Sequence, residues 1–187
     1  TSGSTGKPKG VMVGHGGLIN LKYDLTNRYE LGIQDNKEAI LLSSHYVFDT
    51  SVELMILALL NGYQLVLMPN LLWLNKNTFY DYLNKNKVTH IEATPTFVAQ
   101  YNLSKIFSLK RLIFGGEALS KVCYKKIILN DYCKKINSYG PTEVSVTSIV
   151  NVIEDNNISI GLPISNTMCY ILDSYMNPVP IGVAGEM

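Results

Sequence analysis

The segment VTHIEATPTFVAQ, residues 88–100, contains the pattern that decides the fold class. Its first part, residues 88–93, is a short and mostly apolar run with the length of one strand. Pro95 follows, and proline suits the first turn of a helix, where no backbone N–H is needed. A strand that passes directly into a helix is the repeating unit of parallel β-α-β folds.

The alternation of strand and helix patterns continues on both sides of this segment. Apolar runs of strand length occur at residues 39–43, 64–68, 109–114 and 135–138. Helical patterns lie between them, at residues 18–29, 51–60, 78–86 and 119–129, and Thr78 is the predicted N-cap of the third. After Gly140, residues 144–153 and 168–172 are rich in strand-forming residues. The sequence therefore predicts an α/β fold of parallel β-α-β units followed by a β-rich C-terminal part.

The composition excludes several classes of protein. Of the 187 residues, 47% are hydrophobic and 17% are charged, which is too apolar for a disordered segment. The 16 Lys and Arg residues balance 15 Asp and Glu residues, so neither nucleic acid nor an anionic membrane surface is an expected partner. The longest apolar stretch, residues 54–60, is far shorter than the roughly 20 residues of a membrane-spanning helix.

The cysteines and the chain ends indicate where the protein acts and how much of it is present. Cys123, Cys133 and Cys169 are odd in number and form no C-x-x-C motif, which argues against a disulfide framework or a zinc site. We expect packed or surface thiols in a reducing compartment, the cytoplasm. The chain starts at Thr1 and stops at Met187 within a pattern, so residues 1–187 are predicted to be a partial domain truncated at both ends.

The opening stretch TSGSTGKPKG, residues 1–10, combines the glycines, hydroxyls and lysine of a phosphate-binding loop. A Walker A loop is excluded, because Thr1 stands where its first glycine is required and Pro8 follows Lys7. From the residues alone, the stretch is either an anion-binding loop or a solvated Ser/Gly linker.

Several motifs in order resemble those of the adenylate-forming superfamily, which includes acyl-CoA synthetases, luciferases and the adenylation domains of nonribosomal peptide synthetases. TSGSTGKPKGV resembles its phosphate-loop signature, and NSYGPTE (residues 137–143) resembles its N-x-Y-G-P-T-E motif. FGGEALS (residues 114–120) is similar to its G-G-E-x-L segment. IGLPISNTMCYILD and VPIGVAGEM resemble the stretch that leads into its G-E-L motif. The resemblance covers essentially the whole chain and implies a fragment of the large N-terminal subdomain of such an enzyme.

The resemblance implies a nucleotide site. Lys7, Thr142 and Glu143 are the implied catalytic residues, with Thr142 on the α-phosphate and Glu143 as the Mg²⁺ ligand, a role that suits a carboxylate beside phosphates. Tyr139 is expected to pack on the adenine. The implied ATP-binding residues are Thr1, Ser2, Gly3, Ser4, Thr5, Gly6, Lys7, Gly116, Glu117, Asn137, Tyr139, Gly140 and Thr142.

FDTSVELM, residues 48–55, resembles the F-D-x-S-V motif of amino-acid-adenylating domains, whose aspartate holds the substrate's α-ammonium group. Asp49 matches that aspartate, although Asp49 is also suited to cap a helix, and one residue can do both. The resemblance implies a substrate pocket formed by Asp49, Thr50, Glu53, Glu92, Ile113, Gly115, Ser138, Val146 and Thr147.

Two further carboxylates suggest the substrate class. Glu53 follows Asp49 by one helical turn, and Glu92 is expected on the strand face opposite Ile91 and Ala93. Buried carboxylates are costly unless a cation accompanies them, so a lysine- or ornithine-like substrate is the hypothesis. The remaining pocket residues also look like those of family members that take basic amino acids. The alternative is a small polar substrate, with one glutamate outside the pocket.

The implied reaction has two steps. An amino acid reacts with ATP to give an aminoacyl-adenylate, and a phosphopantetheine thiol on a carrier domain then takes the acyl group. Carrier and condensation domains of the full-length protein are the expected partners. The family's ribose-binding aspartate and C-terminal lysine would lie beyond Met187, so the fragment is expected to be inactive alone. Two rivals stay open: an acyl-CoA or aryl-acid ligase, and a noncatalytic nucleotide-binding relative.

Overall fold

A computed structural model describes residues 10–33, 37–154 and 157–187. The predicted phosphate-loop residues Thr1 to Lys7 lie outside the described residues. The elements are α1 (His15–Arg28), β1 (Ala39–Leu42), α2 (Thr50–Leu59), β2 (Gln64–Leu67), α3 (Lys76–Lys85), β3 (His90–Ala93), α4 (Pro95–Val98), β4 (Arg111–Phe114), α5 (Lys121–Tyr124), β5 (Lys134–Tyr139), β6 (Ile149–Val152) and β7 (Leu162–Pro163). Three 3-10 turns lie at Leu72–Leu74, Leu103–Lys105 and Thr142–Val144.

The strands form one sheet in the order β2-β1-β3-β4-β5-β6-β7. The first five strands are parallel, and β6 and β7 join β5 as antiparallel neighbours. The predicted α/β fold of parallel units followed by a β-rich part is therefore confirmed. From β1 the chain moves outward to β2 and then returns past β1 to β3, so the winding direction reverses between β1 and β3.

Successive residues of the strands feed two separate apolar cores, one on each face of the sheet. Leu112 and Phe114 of β4 pack with Phe79 and Leu83 of α3. Ile113, between them, packs on the opposite face with residues of α1 and α2 that include Leu21, Leu25, Leu54 and Leu57. Each of these leucines is fully buried, which stabilises the fold by about 1.5–3 kcal/mol per side chain.

Two elements differ from the predicted ones because side chains or neighbouring segments form hydrogen bonds with their backbone groups. Asn75, not Thr78, caps α3, since its side-chain oxygen accepts hydrogen bonds from the amides of Asn77 and Thr78 at 3.1 and 3.2 Å. The predicted helix over 119–129 is reduced to Lys121–Tyr124, because the Ile128 carbonyl accepts a hydrogen bond from Leu103 N at 3.0 Å.

The β-rich C-terminal part has less regular structure than its composition predicts. Residues 142–144 form a 3-10 turn, and Ser145 and Val146 have φ of 67° and 75°, which removes them from any strand. In residues 168–172, the described pairings are isolated bridges from Leu172 to Pro178 and Glu186.

A buried ion pair joins β4 to the segment before β1. The Arg111 guanidinium donates to both carboxylate oxygens of Glu38, at 2.8 and 3.0 Å, and the Thr89 hydroxyl donates to the same carboxylate. Arg111 also donates to the backbone carbonyls of Tyr29 and Glu30. Burial raises the pKa of Glu38, but these hydrogen bonds and the nearby positive charge outweigh it and lower the pKa to about 2.

Candidate active site

A cavity of about 510 Å³ opens at the carboxyl ends of β1 and β3. This is the point where the winding direction reverses, which is where open parallel sheets bind their ligands. The cavity is lined by residues from the ends of β1, β3 and β4 and from the start of α2: Ser43, Ser44, His45, Phe48, Asp49, Thr50, Met68, Trp73, Glu92, Ala93, Thr94, Phe97, Gly115 and Gly116.

Asp49 is the N-cap residue of α2, and it also lines this cavity. Its Oδ1 accepts a hydrogen bond from the backbone amide of Thr50 at 2.9 Å. The two interpretations of Asp49 are therefore compatible, because the helix cap occupies one carboxylate oxygen. The α2 N-terminus also places the positive end of the helix dipole beside this carboxylate.

Glu92 projects from β3 into the cavity wall, on the face opposite Ile91, as the strand alternation predicts. A Cβ atom placed on Gly115 would lie 2.9 Å from Glu92 Oε1, so the absence of a side chain at Gly115 makes room for the carboxylate. The Ser43 hydroxyl donates to the Glu92 backbone carbonyl and ties the end of β1 to β3. Glu92 is 4% exposed.

Glu53 lies in the first turn of α2 and is fully buried. It is absent from the lining of the cavity, to which Glu92 belongs. Neither Glu53 oxygen has a partner at hydrogen-bonding geometry among the described residues, and Glu92 Oε2 has none either. The two carboxyl groups influence each other directly.

Burial dominates the ionisation of this carboxyl pair. Desolvation raises the pKa of Glu53 to about 7, opposed by a contact with Thr147. Desolvation, and then the charge of Glu53, raise the pKa of Glu92 well above its ordinary value. Burial and the same two carboxylates raise the pKa of the adjacent Tyr29 phenol.

Four other predicted pocket residues form a buried layer behind the cavity. Ser138 and Thr147 share a hydrogen bond of 2.9 Å between their hydroxyls, and Ile113 and Val146 belong to the core that includes α1 and α2. None of the four is in the described lining. The structure thus brings Asp49, Thr50, Glu92 and Gly115 together at the cavity and places Glu53 with this second layer.

The predicted nucleotide residues lie along the end of β5 and the turn after it. Tyr139 is 43% exposed, Thr142 is half-buried and Glu143 is exposed. Gly140 is required by close backbone packing, since a Cβ there would lie 2.8 Å from Ser148 N. The exposed ring and carboxylate are available to a ligand, and one carboxylate beside phosphate oxygens is a donor set that Mg²⁺ accepts.

Other predicted nucleotide residues are engaged within the chain. The Asn137 amide donates to the Ser159 carbonyl at 3.0 Å, and Glu117 accepts a hydrogen bond from the Thr96 hydroxyl at 2.6 Å. Gly116 has φ of 77°, a conformation that glycine adopts readily and that turns the chain away from β4.

Sequence reasoning missed several residues that line the cavity. Ser43, Ser44 and His45 follow β1, and Trp73 and Phe97 supply aromatic surface. The strand pattern at residues 39–43 contained a signal for the first three, because ligand-binding residues follow the carboxyl ends of parallel strands. No sequence signal pointed to Trp73, which lies in the 3-10 turn Leu72–Leu74.

The whole chain, residues 1–187, matches the family model described as AMP-binding enzyme. The chain belongs to this family. N-(5-amino-5-carboxypentanoyl)-L-cysteinyl-D-valine synthase of Amycolatopsis lactamdurans is 39% identical over 191 residues, which cover 100% of this chain and 5% of that protein. Bacitracin synthase 1 of Bacillus licheniformis is 34% identical over 200 residues, with 100% of this chain and 4% of that protein covered. The AMP-binding chain thus spans a small part of the relatives it matches.

Solved structures of adenylate-forming enzymes share the fold. A four-domain nonribosomal peptide synthetase bound to AMP and glycine superposes with a TM-score of 0.81 at 30% identity, covering 96% of this chain and 14% of that one. The N-terminal subdomain of Klebsiella oxytoca NpsA, in complex with 3-hydroxybenzoyl-AMSN, gives a TM-score of 0.81 at 20% identity, covering 100% and 47%. The recognised family and fold are therefore confirmed. Among the described residues of this AMP-binding chain, the helices are too short or too polar to cross a bilayer.

Proposed function

We propose that the protein containing this chain activates an amino acid as its aminoacyl-adenylate and passes it to a phosphopantetheine thiol on a carrier domain. The observation that carries the proposal is a carboxylate, Asp49, in the wall of a cavity at the reversal point of an AMP-binding fold. Such a carboxylate suits an α-ammonium group, which a fatty or aryl acid lacks. The similar four-domain nonribosomal peptide synthetase supports carrier and condensation domains as partners.

The chain's residues would act mainly by position and charge, as in other displacements at phosphorus. Asp49 would hold the α-ammonium and direct the substrate carboxylate toward the nucleotide. Thr142 would donate its hydroxyl to the α-phosphate, and Lys7 with the residues before it would bind the β- and γ-phosphates. Glu143 would hold Mg²⁺, which neutralises phosphate charge. Tyr139 presents a ring face suited to adenine.

We further propose that the substrate side chain is cationic, lysine- or ornithine-like. Glu92 supports this, because it is a nearly buried carboxylate in the cavity wall and lacks a cationic partner among the described residues. A buried carboxylate without a counter-ion is unfavourable, and a substrate ammonium group would supply one.

The test is ATP–pyrophosphate exchange by the complete protein with Mg²⁺ and a panel of acids. We expect exchange with lysine or ornithine, and loss of about 30-fold or more in kcat/KM in Asp49→Asn, because a buried charge pair is broken. Asp81→Asn, an exposed carboxylate on α3, is the matched control and leaves exchange unchanged. Exchange with a fatty or aryl acid alone would instead make the protein a ligase and Asp49 a helix cap.

The side-chain proposal has its own comparison. Lysine and norleucine have chains of the same length up to the terminal ammonium group, so the ratio of their kcat/KM values isolates that charge. Glu92→Gln is expected to lower the ratio by about 30-fold or more. An undiminished ratio in Glu92→Gln would remove the cationic substrate while leaving amino-acid activation in place.

A further inference from the structure

Helix α1 is the first described element after the predicted phosphate loop, and one of its faces is bound to β7 and the segment after it. Asn20, Asp24 and Arg28 are spaced by four residues and therefore lie on that face. The Asn20 side-chain amide donates to the Ser165 carbonyl, and the Ser165 amide donates to Asp24, each at 2.7 Å. Arg28 donates to the Pro163 carbonyl. These contacts fix the position of α1 relative to the sheet.

The same face continues to Gly17, which meets the turn that carries two predicted nucleotide residues. A Cβ atom on Gly17 would overlap Ser145 Oγ and lie 3.1 Å from Ser145 Cβ. Rotation of the hydroxyl would relieve the first contact, but only movement of the backbone would relieve the second. Ser145 N donates to the Thr142 carbonyl at 3.2 Å, and Glu143 lies between the two residues in the chain. A displacement of Ser145 therefore reaches both predicted residues.

The turn has little freedom to yield to an added group. Ser145 and Val146 have φ of 67° and 75°, a region that branched residues avoid, so the surroundings hold this turn in place. Gly140 contributes to the close packing, because a Cβ there would lie 2.8 Å from Thr147 Cα. A methyl group on Gly17 would therefore displace α1 or move the turn, and either movement changes the distance between them.

We propose that Gly17 is a positioning residue for the nucleotide. Its missing side chain sets the distance between the first turn of α1, which follows the predicted phosphate loop in the chain, and the turn that carries Thr142 and Glu143. All three phosphates belong to one ATP molecule, so the groups that bind them must keep a fixed separation. The inference deepens the proposed function and rests on it for the roles of Lys7, Thr142 and Glu143.

The first arm of the experiment measures equilibrium binding of AMPPNP with Mg²⁺ to the complete protein, and it needs no amino acid. Gly17→Ala is expected to weaken binding by about 10-fold or more, because one nucleotide no longer meets both sets of groups. Gly16→Ala is the matched control, since it adds the same methyl group to the same helix where nothing lies within 4 Å. Alanine favours a helix more than glycine does, so helix propensity cannot cause the loss. Equal binding by the two alanine variants would overturn the proposal.

Removal of the Ser145 side chain provides the rescue. Glycine adopts a φ of 67° readily, so Ser145→Gly keeps the backbone of the turn and deletes both atoms that a Cβ on Gly17 would meet. In that background, Gly17→Ala is expected to change AMPPNP binding by less than about 2-fold, because the two substitutions act on one contact. A loss of the same size in both backgrounds would show that the methyl group acts elsewhere, which also overturns the proposal.

Asn20→Ala is a second variant that adds no atom. It releases α1 from the Ser165 carbonyl one turn away from Gly17, so it is expected to weaken AMPPNP binding as well. Circular dichroism verifies that each variant is folded. If Gly17→Ala does not fold, Asn20→Ala decides, and unchanged binding in it would overturn the proposal.

The second arm measures ATP–pyrophosphate exchange by the same variants. We expect Gly17→Ala to lower kcat by about 10-fold or more and to change the KM for the amino acid by less than about 2-fold. The reason is that the cavity lining, which contains Asp49 and Glu92, includes neither Gly17 nor Ser145. A merely structural role would lower the folded fraction and leave kcat per folded molecule unchanged.

The two arms separate failure of this inference from failure of the proposed function. Weakened AMPPNP binding that Ser145→Gly relieves, with no exchange for any amino acid, supports the inference and removes the proposed function. Exchange with lysine, together with equal AMPPNP binding by Gly16→Ala and Gly17→Ala, supports the function and overturns the inference.

Discussion

Glu38 and the Glu53/Glu92 pair are buried carboxyls at opposite ends of the same sheet, and they have opposite electrostatic surroundings. Glu38, at the amino end of β1, is held by Arg111 and Thr89 and approached by Lys110 Nζ at 3.4 Å. Glu53 and Glu92, near the carboxyl ends of the strands, face other carboxylates. The first carboxyl has its counter-ion inside the chain and serves the fold. Glu53 and Glu92 have no such counter-ion among the described residues, and Glu92 lies in the wall of the cavity.

The pKa shifts express the same difference. Hydrogen bonds from Arg111 and Thr89 and the charge of Arg111 lower the pKa of Glu38 to about 2, whereas desolvation raises the pKa of Glu53 to about 7 and the pKa of Glu92 well above its ordinary value. A buried carboxyl is therefore informative about function only when its partners are examined. A lowered pKa indicates a carboxylate in a structural ion pair, and a raised pKa indicates a carboxyl without a counter-ion, which a cationic ligand can supply.

The largest expected effect comes from removing the internal counter-ion. Arg111→Met removes the buried guanidinium that binds both oxygens of Glu38 and leaves that carboxylate with the Thr89 hydroxyl and the more distant Lys110, which is expected to cost about 3–5 kcal/mol in the free energy of unfolding. Denaturant unfolding of the complete protein, followed by a probe in this domain, measures the loss. Lys134→Met is the control, because Lys134 pairs with Glu30 at the surface, where both side chains are exposed to solvent. A cost below about 1 kcal/mol for Arg111→Met would mean that the ion pair does not hold β4 to the segment before β1.

A second effect is a loss of stability as pH rises toward and through neutrality, and Glu53 and Glu92 cause it. Groups whose pKa is raised in the folded state bind protons more tightly there, so their contribution is complete below the unfolded value of about 4.3. That contribution falls as pH rises through about 7, the folded value for Glu53. The free energy of unfolding should therefore decline across neutral pH, and the double variant Glu53→Gln with Glu92→Gln should show a flatter profile. An identical decline in that variant would assign the loss to other groups.

The acid side should show the reverse behaviour, governed by Glu38. Its folded pKa of about 2 lies below the unfolded value of about 4.3, so its contribution is present above the unfolded value. That contribution is lost as pH falls from about 4.3 toward about 2. Unfolding measured from pH 5 to pH 3 checks this, and Glu38→Gln should remove the slope that Glu38 causes.

The smallest expected effect concerns His90, whose backbone pairs with that of Arg111 and which lies between the two groups of carboxyls. Neither ring nitrogen has a hydrogen-bond partner in the described part of the chain. His90→Phe is therefore expected to change the free energy of unfolding at pH 8 by at most about 1 kcal/mol. The pKa of His90 is about 6.5 in the unfolded chain and about 3 in the folded one, so the wild-type protein loses stability as pH falls between these values. His90→Phe should remove this loss, and the acid-side loss that remains in the variant then reports on Glu38. A large loss at pH 8 would reveal a polar role for the imidazole.

Much of the fold was predictable because the strands are short, apolar and regularly spaced. The face alternation that placed Glu92 opposite Ile91 follows from strand geometry alone, and the structure confirms it. The limits of α5 were not predictable, since the Ile128 carbonyl accepts its hydrogen bond from Leu103, a residue distant in sequence. The positive φ of Val146 also has no local signal, because branched residues avoid that conformation.

The site was predictable in its chemistry more than in its layering. The motifs predicted a set of pocket residues, and four of them line one cavity. That Glu53 is fully buried and outside the cavity lining depends on how α2 packs on the sheet, which is a tertiary property. The counter-ion of Glu38 was invisible for the same reason, since Arg111 is 73 residues away along the chain.

Gly115 makes the size and the charge of the cavity inseparable. Because a methyl group at this position would press on Glu92 Oε1, a smaller pocket made there is also a pocket whose carboxylate has moved. A substitution at Gly115 therefore changes both the size of the side chain that fits and the position of the carboxylate that it meets. Protein engineers who wish to change only the accepted side-chain length would have to begin elsewhere on the wall, for example at Phe97 or Met68.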